Sequence, residues 1–320
     1  MDIYIVSDVG GTQIRVAAFE VSTLNRISLK KIPTQFTGQL PVERLIQLIH
    51  DIKKDFFVRA IAVAAPGFLD PDVGIVYEAP NIPGWENYPL KKILEDEFHL
   101  PIFLGNDANL AALGEWKFGA GIGHSNLLYL TISTGIGSGA IINNQLLLGN
   151  KGLAGEFGHV TVLPDGPLCG CGKRGHIEAL ASGTAIINYV QEQITAGRPT
   201  TLTQVTKITG KDISLAAQNG DEIAMEAYNR AGKFLGIALA NFLHMFNPSI
   251  VIFGGGVSTS GELLFTPMRK SLQESLISSA YLEGLTITTA QLGDDVGLKG
   301  ALALLVTQVS LIDQIPTLSN

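Results

Sequence analysis

Asp107 stands in the run Gly105-Asn106-Asp107-Ala108-Asn109, directly after a short apolar stretch at 102–104. A carboxylate at the C-terminal end of a strand in an α/β sheet sits where reacting groups belong. There it can accept the proton of an attacking hydroxyl while Asn106 holds a neighbouring one. The same position suits an N-cap for a helix beginning near Asn109, and the residues alone leave both readings open. Three glycine-rich turns, at 8–12, 133–139 and 254–258, each follow an apolar run. Their backbone N–H groups can cradle phosphate oxygens, which bulkier side chains would block; Thr12 and Thr134 add hydroxyl donors. Asp8, at the first turn, can hold Mg2+ beside a polyphosphate or simply cap its own turn. No G-x-x-x-x-G-K-[ST] run occurs, so this is not P-loop chemistry.

A fourth cluster is of a different kind. Both cysteines, Cys169 and Cys171, and two of the six histidines, His159 and His176, fall within the glycine-rich stretch 155–178. Two thiolates and two imidazoles suit tetrahedral Zn2+, although C-x-C replaces the usual C-x-x-C spacing. Four protein ligands leave no open position, so such a site is structural. His159 can bind metal through one ring nitrogen and a substrate hydroxyl through the other. Glu156 and Glu178 flank the cluster and can accept hydrogen bonds from hydroxyls. A disulfide between cysteines one residue apart would be strained.

The elements that must position these residues alternate between strand and helix. Runs at 3–6 and 14–19 around Gly10-Gly11 predict a hairpin, and runs at 127–132 and 139–142 echo it, which suggests two related lobes. Between them the spacing predicts helices at 41–56, 90–98 and 109–118 and strands at 60–64 and 102–104. Beyond them it predicts a helix at 221–246 that stops at Asn247-Pro248, a strand at 250–253 and an apolar helix at 300–309. This alternation is an α/β pattern with ligands at strand ends, and the domain break falls near 119–123.

The bulk numbers narrow the partners. Hydrophobic residues are 46% and charged residues 16% of 320, a globular balance with room for two domains. A net charge of −7 argues against nucleic acid as the main partner. The chain opens on Asp2-Ile3-Tyr4-Ile5-Val6 without a signal-peptide pattern, and no apolar run is long enough for a membrane span. The expectation is therefore a cytoplasmic protein with neither membrane nor nucleic acid as partner.

Taken in order, Asp8-Val9-Gly10-Gly11-Thr12, Pro66-Gly67, Gly105-Asn106-Asp107-Ala108-Asn109, Ser133-Thr134-Gly135-Ile136-Gly137, Glu156-Phe157-Gly158-His159 and Cys169-Gly170-Cys171-Gly172 resemble the ROK family. That group comprises bacterial sugar kinases, open reading frames and repressors within the actin-like ATPase and hexokinase superfamily. The resemblance spans nearly the whole chain and implies a two-lobed α/β fold of actin-like (ribonuclease H-like) type, with ATP and sugar in the interlobe cleft. The lobes would be 1–119 plus 300–320, and a larger 120–299 carrying zinc. It implies Asp107 as catalytic base, and Asn106, Glu156, His159 and Glu178 as sugar-hydroxyl ligands with Gly67 beside them. Asp8, Gly10, Gly11, Thr12, Gln13, Thr134, Gly135, Gly137, Gly254, Gly255 and Gly256 would face ATP and Mg2+. Gln13 stands where lysine is common in the family, with Arg15 near. His159, Cys169 and Cys171 match zinc ligands, and His176 replaces the family's usual third cysteine. The implied activity is phosphorylation of a hexose, most often glucose to glucose 6-phosphate, by a homodimer. Fructose, mannose, N-acetylglucosamine and N-acetylmannosamine are alternative acceptors. A sugar-sensing regulator is the alternative class; those carry a DNA-binding domain ahead of the first hairpin, where only seven residues precede Asp8.

Overall fold

The computed structural model describes residues 1–312, which form two lobes, each built on a five-stranded sheet. In the first lobe β1 (Asp2–Val9) and β2 (Gln13–Glu20) make an antiparallel hairpin that sets Asp8 opposite Arg15. β1 is apolar and buried along nearly its whole length, as a central strand covered on both faces must be. β3 (Arg26–Pro33) extends the meander, and α1 (Pro41–Lys53) leads into β4 (Phe57–Ala65), parallel to β1. A small antiparallel sheet of β5 (Phe68–Asp70), β6 (Ile75–Glu78) and β7 (Glu86–Tyr88) follows. Then come α2 (Leu90–Phe98), β8 (Ile102–Asn106) parallel to β4, and α3 (Asp107–Phe118). The sheet order is β3-β2-β1-β4-β8.

The second lobe repeats this plan. β9 (Leu127–Ile132), β10 (Ile136–Ile142) and β11 (Gln145–Leu146) form a meander. An irregular segment leads to the helices α4 (Glu178–Ala181), α5 (Gly183–Thr195), α6 (Gly210–Gln218) and α7 (Glu222–Phe246). β12 (Ile250–Gly254), α8 (Glu262–Ser275) and β13 (Thr286–Thr289) complete the order β11-β10-β9-β12-β13. Both sheets thus place two parallel strands beyond the first strand of a hairpin meander, so the two glycine hairpins occupy matching positions.

α9 (Val296–Ile312) returns to the first lobe. Side chains of β1, β4, α3 and α9 share one apolar cluster with Leu127, Tyr129, Ile250 and Ile252 of the second sheet. Each lobe also has its own core, one against α1 and α2, the other around α7. Helices α3 and α9 therefore form the layer that holds the strand ends of both sheets toward one cleft. Most expected elements fall in place within a few residues. The helix expected from 109 starts at Asp107, the strand expected to end at 104 runs to Asn106, and the final helix starts at Val296. Of the expected segment 300–320, residues 313–320 lie outside the described residues.

Candidate active site

The first and third glycine turns line one cleft of about 1270 Å³, to which Asp8, Gly10, Gly11, Thr12 and Gln13 contribute from the β1–β2 hairpin. Gly254, Gly255 and Gly256 face them from the end of β12. Gly255 has φ +82°, and a Cβ there would stand 2.3 Å from the Ile132 carbonyl oxygen, so only glycine lets β12 turn this close to β9. Thr134, Gly135 and Gly137, expected beside them, do not line this cavity. Gly135 lies against the Glu178 carboxylate and Gly137 against Ala108, on the side of the β9–β10 turn toward α3 and the cysteine stretch.

Two cationic side chains in the cleft were not among the assigned positions. Arg15 bonds the Asp8 carboxylate and the Asp294 carbonyl, and Lys31 sits directly opposite Arg15 across the β2–β3 pair. The signal was legible: in a strand residues two apart share a face, so Gln13 facing the cleft carries Arg15 with it.

Asn106 resolves the ambiguity over the cap. Its backbone is extended, and its Oδ1 accepts the N–H groups of Ala108 at 3.0 Å and Asn109 at 3.1 Å. The N-cap of α3 is therefore Asn106, and Asp107 begins the helix proper. The Asn106 Nδ2 donates at 3.0 Å to the carbonyl of Gly67, whose φ of +85° turns the chain after β4. One side chain thus anchors the start of α3 to the Pro66-Gly67 turn.

Asp107 is accessible to solvent but surrounded by protein, within range of the charges on Asp8 and Glu156. Burial raises its carboxyl from the ordinary 3.8 to about 6; the bond from the Ala108 N–H opposes the rise, and Asp8 and Glu156 add to it. Burial also raises Glu156, with His159 opposing and Glu178 reinforcing. A carboxylate ionised at neutral pH but only modestly acidic is suited to take a hydroxyl proton.

The Cys-His stretch closes the far side. The ligand atoms of His159, Cys169, Cys171 and His176 all lie within 4.8 Å of one another. Cys171 Sγ is 3.2 Å and His159 Nδ1 3.4 Å from His176 Nδ1, and Cys169 Sγ is 3.8 Å from His159 Nδ1. Zn–S and Zn–N bonds of about 2.3 and 2.0 Å in a tetrahedron give ligand edges of about 3.3–3.8 Å, so the donor set fits Zn2+. His159 turns Nδ1 into this cluster, leaving Nε2 without a partner among the described residues. Glu178 accepts the Ile136 N–H at 2.9 Å through Oε2, and its Oε1 meets Cys169 Sγ at 3.4 Å. It therefore joins the metal-ligand stretch to the β9–β10 turn.

Comparison with known proteins agrees with this architecture. A sequence description of the ROK family matches residues 4–308. A glucokinase of Streptomyces coelicolor is 37% identical over 308 residues, covering 94% of this chain and 96% of its own. A ROK family glucokinase from Streptomyces griseus, solved with glucose and AMPPNP, has TM-score 0.77 and 38% identity over 94% of this chain and 98% of its own. A ROK hexokinase from Thermus thermophilus has TM-score 0.81 and 34% identity over 96% and 99%.

Proposed function

The chain belongs to the ROK family, and from that premise we propose that it transfers the γ-phosphoryl group of ATP to glucose, giving glucose 6-phosphate. One observation carries the proposal. Asp107, the first residue of α3 at the end of β8, lies within range of the charges on Asp8, on the turn that lines the large cleft, and on Glu156, on the loop leading to His159. A base between a phosphate cradle and a set of hydroxyl acceptors is what phosphoryl transfer to a sugar requires.

In the proposed mechanism Asn106, Glu156, the free Nε2 of His159 and Glu178 hold sugar hydroxyls, with Gly67 beside them. Asp107 takes the proton of the 6-hydroxyl as it attacks. The N–H groups of Gly11 and Thr12, with Gly10 and Gln13, and those of Gly254, Gly255 and Gly256 face the nucleotide. Arg15 and Lys31 add positive charge. Asp8, which also pairs with Arg15, would hold Mg2+, whose charge would offset that of the phosphates. The Cys2His2 cluster takes structural Zn2+.

The lobes we assign are 1–119 plus the C-terminal segment from α9, and the intervening 120–295. We further propose that it works in the cytoplasm as a homodimer feeding glycolysis. Among the described residues no helix is long and apolar enough to cross a membrane.

The acceptor is tested by comparing kcat/KM for glucose, fructose, mannose, N-acetylglucosamine and N-acetylmannosamine in a coupled assay of ADP release. Glucose is expected to rank first, and no turnover on glucose rejects it. The base carries a pH signature of definite sign. Asp107 acts only when ionised, so kcat/KM for glucose is expected to fall about tenfold per pH unit below about 6. A profile flat down to pH 5 contradicts this.

A further inference from the structure

Asn109 has a buried side chain whose hydrogen bonding is incomplete. It lies in the first turn of α3, two residues past Asp107, and is 4% exposed. Its backbone N–H is held by the Asn106 cap, but its side-chain Oδ1 has no partner among the described residues. A buried amide oxygen without a donor destabilises the fold that contains it, and an apolar side chain of similar size would avoid the loss. Its placement shows what donor it faces.

The first turn of α3 is wedged against the second lobe. A Cβ on Gly139 would stand 2.8 Å from the Asn109 Cα and 2.9 Å from the Ala108 carbonyl oxygen, and one on Gly137 would stand 3.1 Å from the Ala108 Cβ. Beyond this contact the Asn109 oxygen looks toward Gly155, where an added Cβ would lie 4.0 Å from it. The Gly155 carbonyl accepts the Ser138 hydroxyl and the Phe157 N–H. The N–H groups of Gly155 and Glu156 have no protein partner among the described residues. An unpaired acceptor on the helix of Asp107 thus lies near unpaired donors on the loop of Glu156 without being bonded to them. A cavity of about 250 Å³, lined by Asn106, Asn109, Leu148 and Gly152 among others, leaves space beside the Asn109 side chain.

We propose that Asn109 is a positioning residue: its Oδ1 accepts a backbone N–H of the Gly155–Glu156 pair when a sugar engages Glu156. The bond ties the sugar-holding loop to the helix that begins with Asp107. Sugar binding thereby completes a hydrogen bond that the free protein lacks, so part of the binding free energy resides in a contact made only with sugar present. This rests on the kinase reading above.

The test uses the full chain with Asn109→Leu, which keeps the volume and removes the amide, and Asn109→Ala, which cannot overpack. Three quantities are compared with wild type: melting temperature without ligand, glucose Kd by calorimetry, and KM for ATP. Asn109→Leu is expected to melt at the wild-type temperature or above, while its glucose Kd rises about tenfold and its ATP KM changes less than twofold. Asn109→Ala is expected to show the same rise in Kd. Glucose affinity within twofold of wild type in both variants overturns the proposal. So does failure of both to fold, which makes Asn109 a structural residue. A wild type that binds no hexose defeats the kinase reading itself, and is recognised before any variant is made.

Discussion

Asp107→Asn is expected to lower kcat by 10³-fold or so while leaving glucose Kd within a few-fold of wild type, and to raise the melting temperature at pH 7. A general base contributes on the order of 10²–10⁴ to rate. An amide keeps the shape and one hydrogen-bonding oxygen of the carboxylate but cannot take a proton. The helix cap survives, because Asn106 supplies it. The stability effect follows from the direction of the pKa shift. The folded chain binds the Asp107 proton more tightly than the unfolded chain does, since burial raises the carboxyl from 3.8 to about 6. Between those values the folded state holds more protons, so stability falls as pH rises through this window. At pH 7 the wild type is mostly ionised and carries a destabilisation that the solvent reaching Asp107 reduces, and the neutral asparagine relieves it. Activity lost together with stability gained marks a site built for function. A loss of kcat no larger than that of Asp96→Asn, an exposed carboxylate on α2, rejects Asp107 as the base.

Cys171→Ser is expected to abolish zinc binding and, with it, to weaken sugar binding. Little regular secondary structure orders the segment between β11 and α4. Its regular structure amounts to two single 3-10 turns and the isolated bridges Thr161–His176 and Leu168–Arg174. Phe157 and Ile177 anchor it in the core of the second lobe, but Val160, Leu163 and Leu168 between them are exposed, so apolar burial holds the stretch around the cysteines less firmly. A metal cross-link through the Cys2His2 cluster would add to this limited core, as structural zinc does in other small modules. Glu156 and His159 belong to this segment and Glu178 directly follows it, so its loosening displaces at least two of the four groups assigned to the sugar hydroxyls. Glucose Kd is expected to rise at least tenfold and the melting temperature to drop. His176→Cys is expected to keep one zinc per chain, since either donor completes the tetrahedron. Wild-type protein purified without chelators and lacking stoichiometric zinc by elemental analysis contradicts this account.

Local patterns carried much of the fold into view. The two glycine hairpins, the α2 span and the Cys-His ligand set are written in short-range spacing, and the structure places each where that spacing puts it. Long-range contacts were less legible. The start of α9 was hidden by Gly297 and Gly300, which weaken a helical pattern. Both are demanded by neighbours remote in sequence: a Cβ on Gly297 would meet the Asp8 carboxylate at 2.6 Å, and one on Gly300 the Leu110 carbonyl oxygen at 2.1 Å. The cap of α3 could not be assigned from composition because Asn106, Asp107 and Asn109 are all capping residues. The chain's turn at Asn106 decides among them. The three-stranded β5–β7 sheet escaped notice because strands of three or four residues carry too short an alternation to read.

The claim that the cleft transfers phosphate from ATP to glucose is tested most directly by following one reaction with 31P NMR. Purified protein is mixed with ATP, Mg2+ and glucose, and all phosphorus species are quantified over time. The account predicts equal amounts of ADP and glucose 6-phosphate, with the phosphate on O6 and no formation of either when Asp107→Asn replaces the wild type over the same interval. ADP appearing with free phosphate and no sugar phosphate, or no consumption of ATP at all, contradicts it.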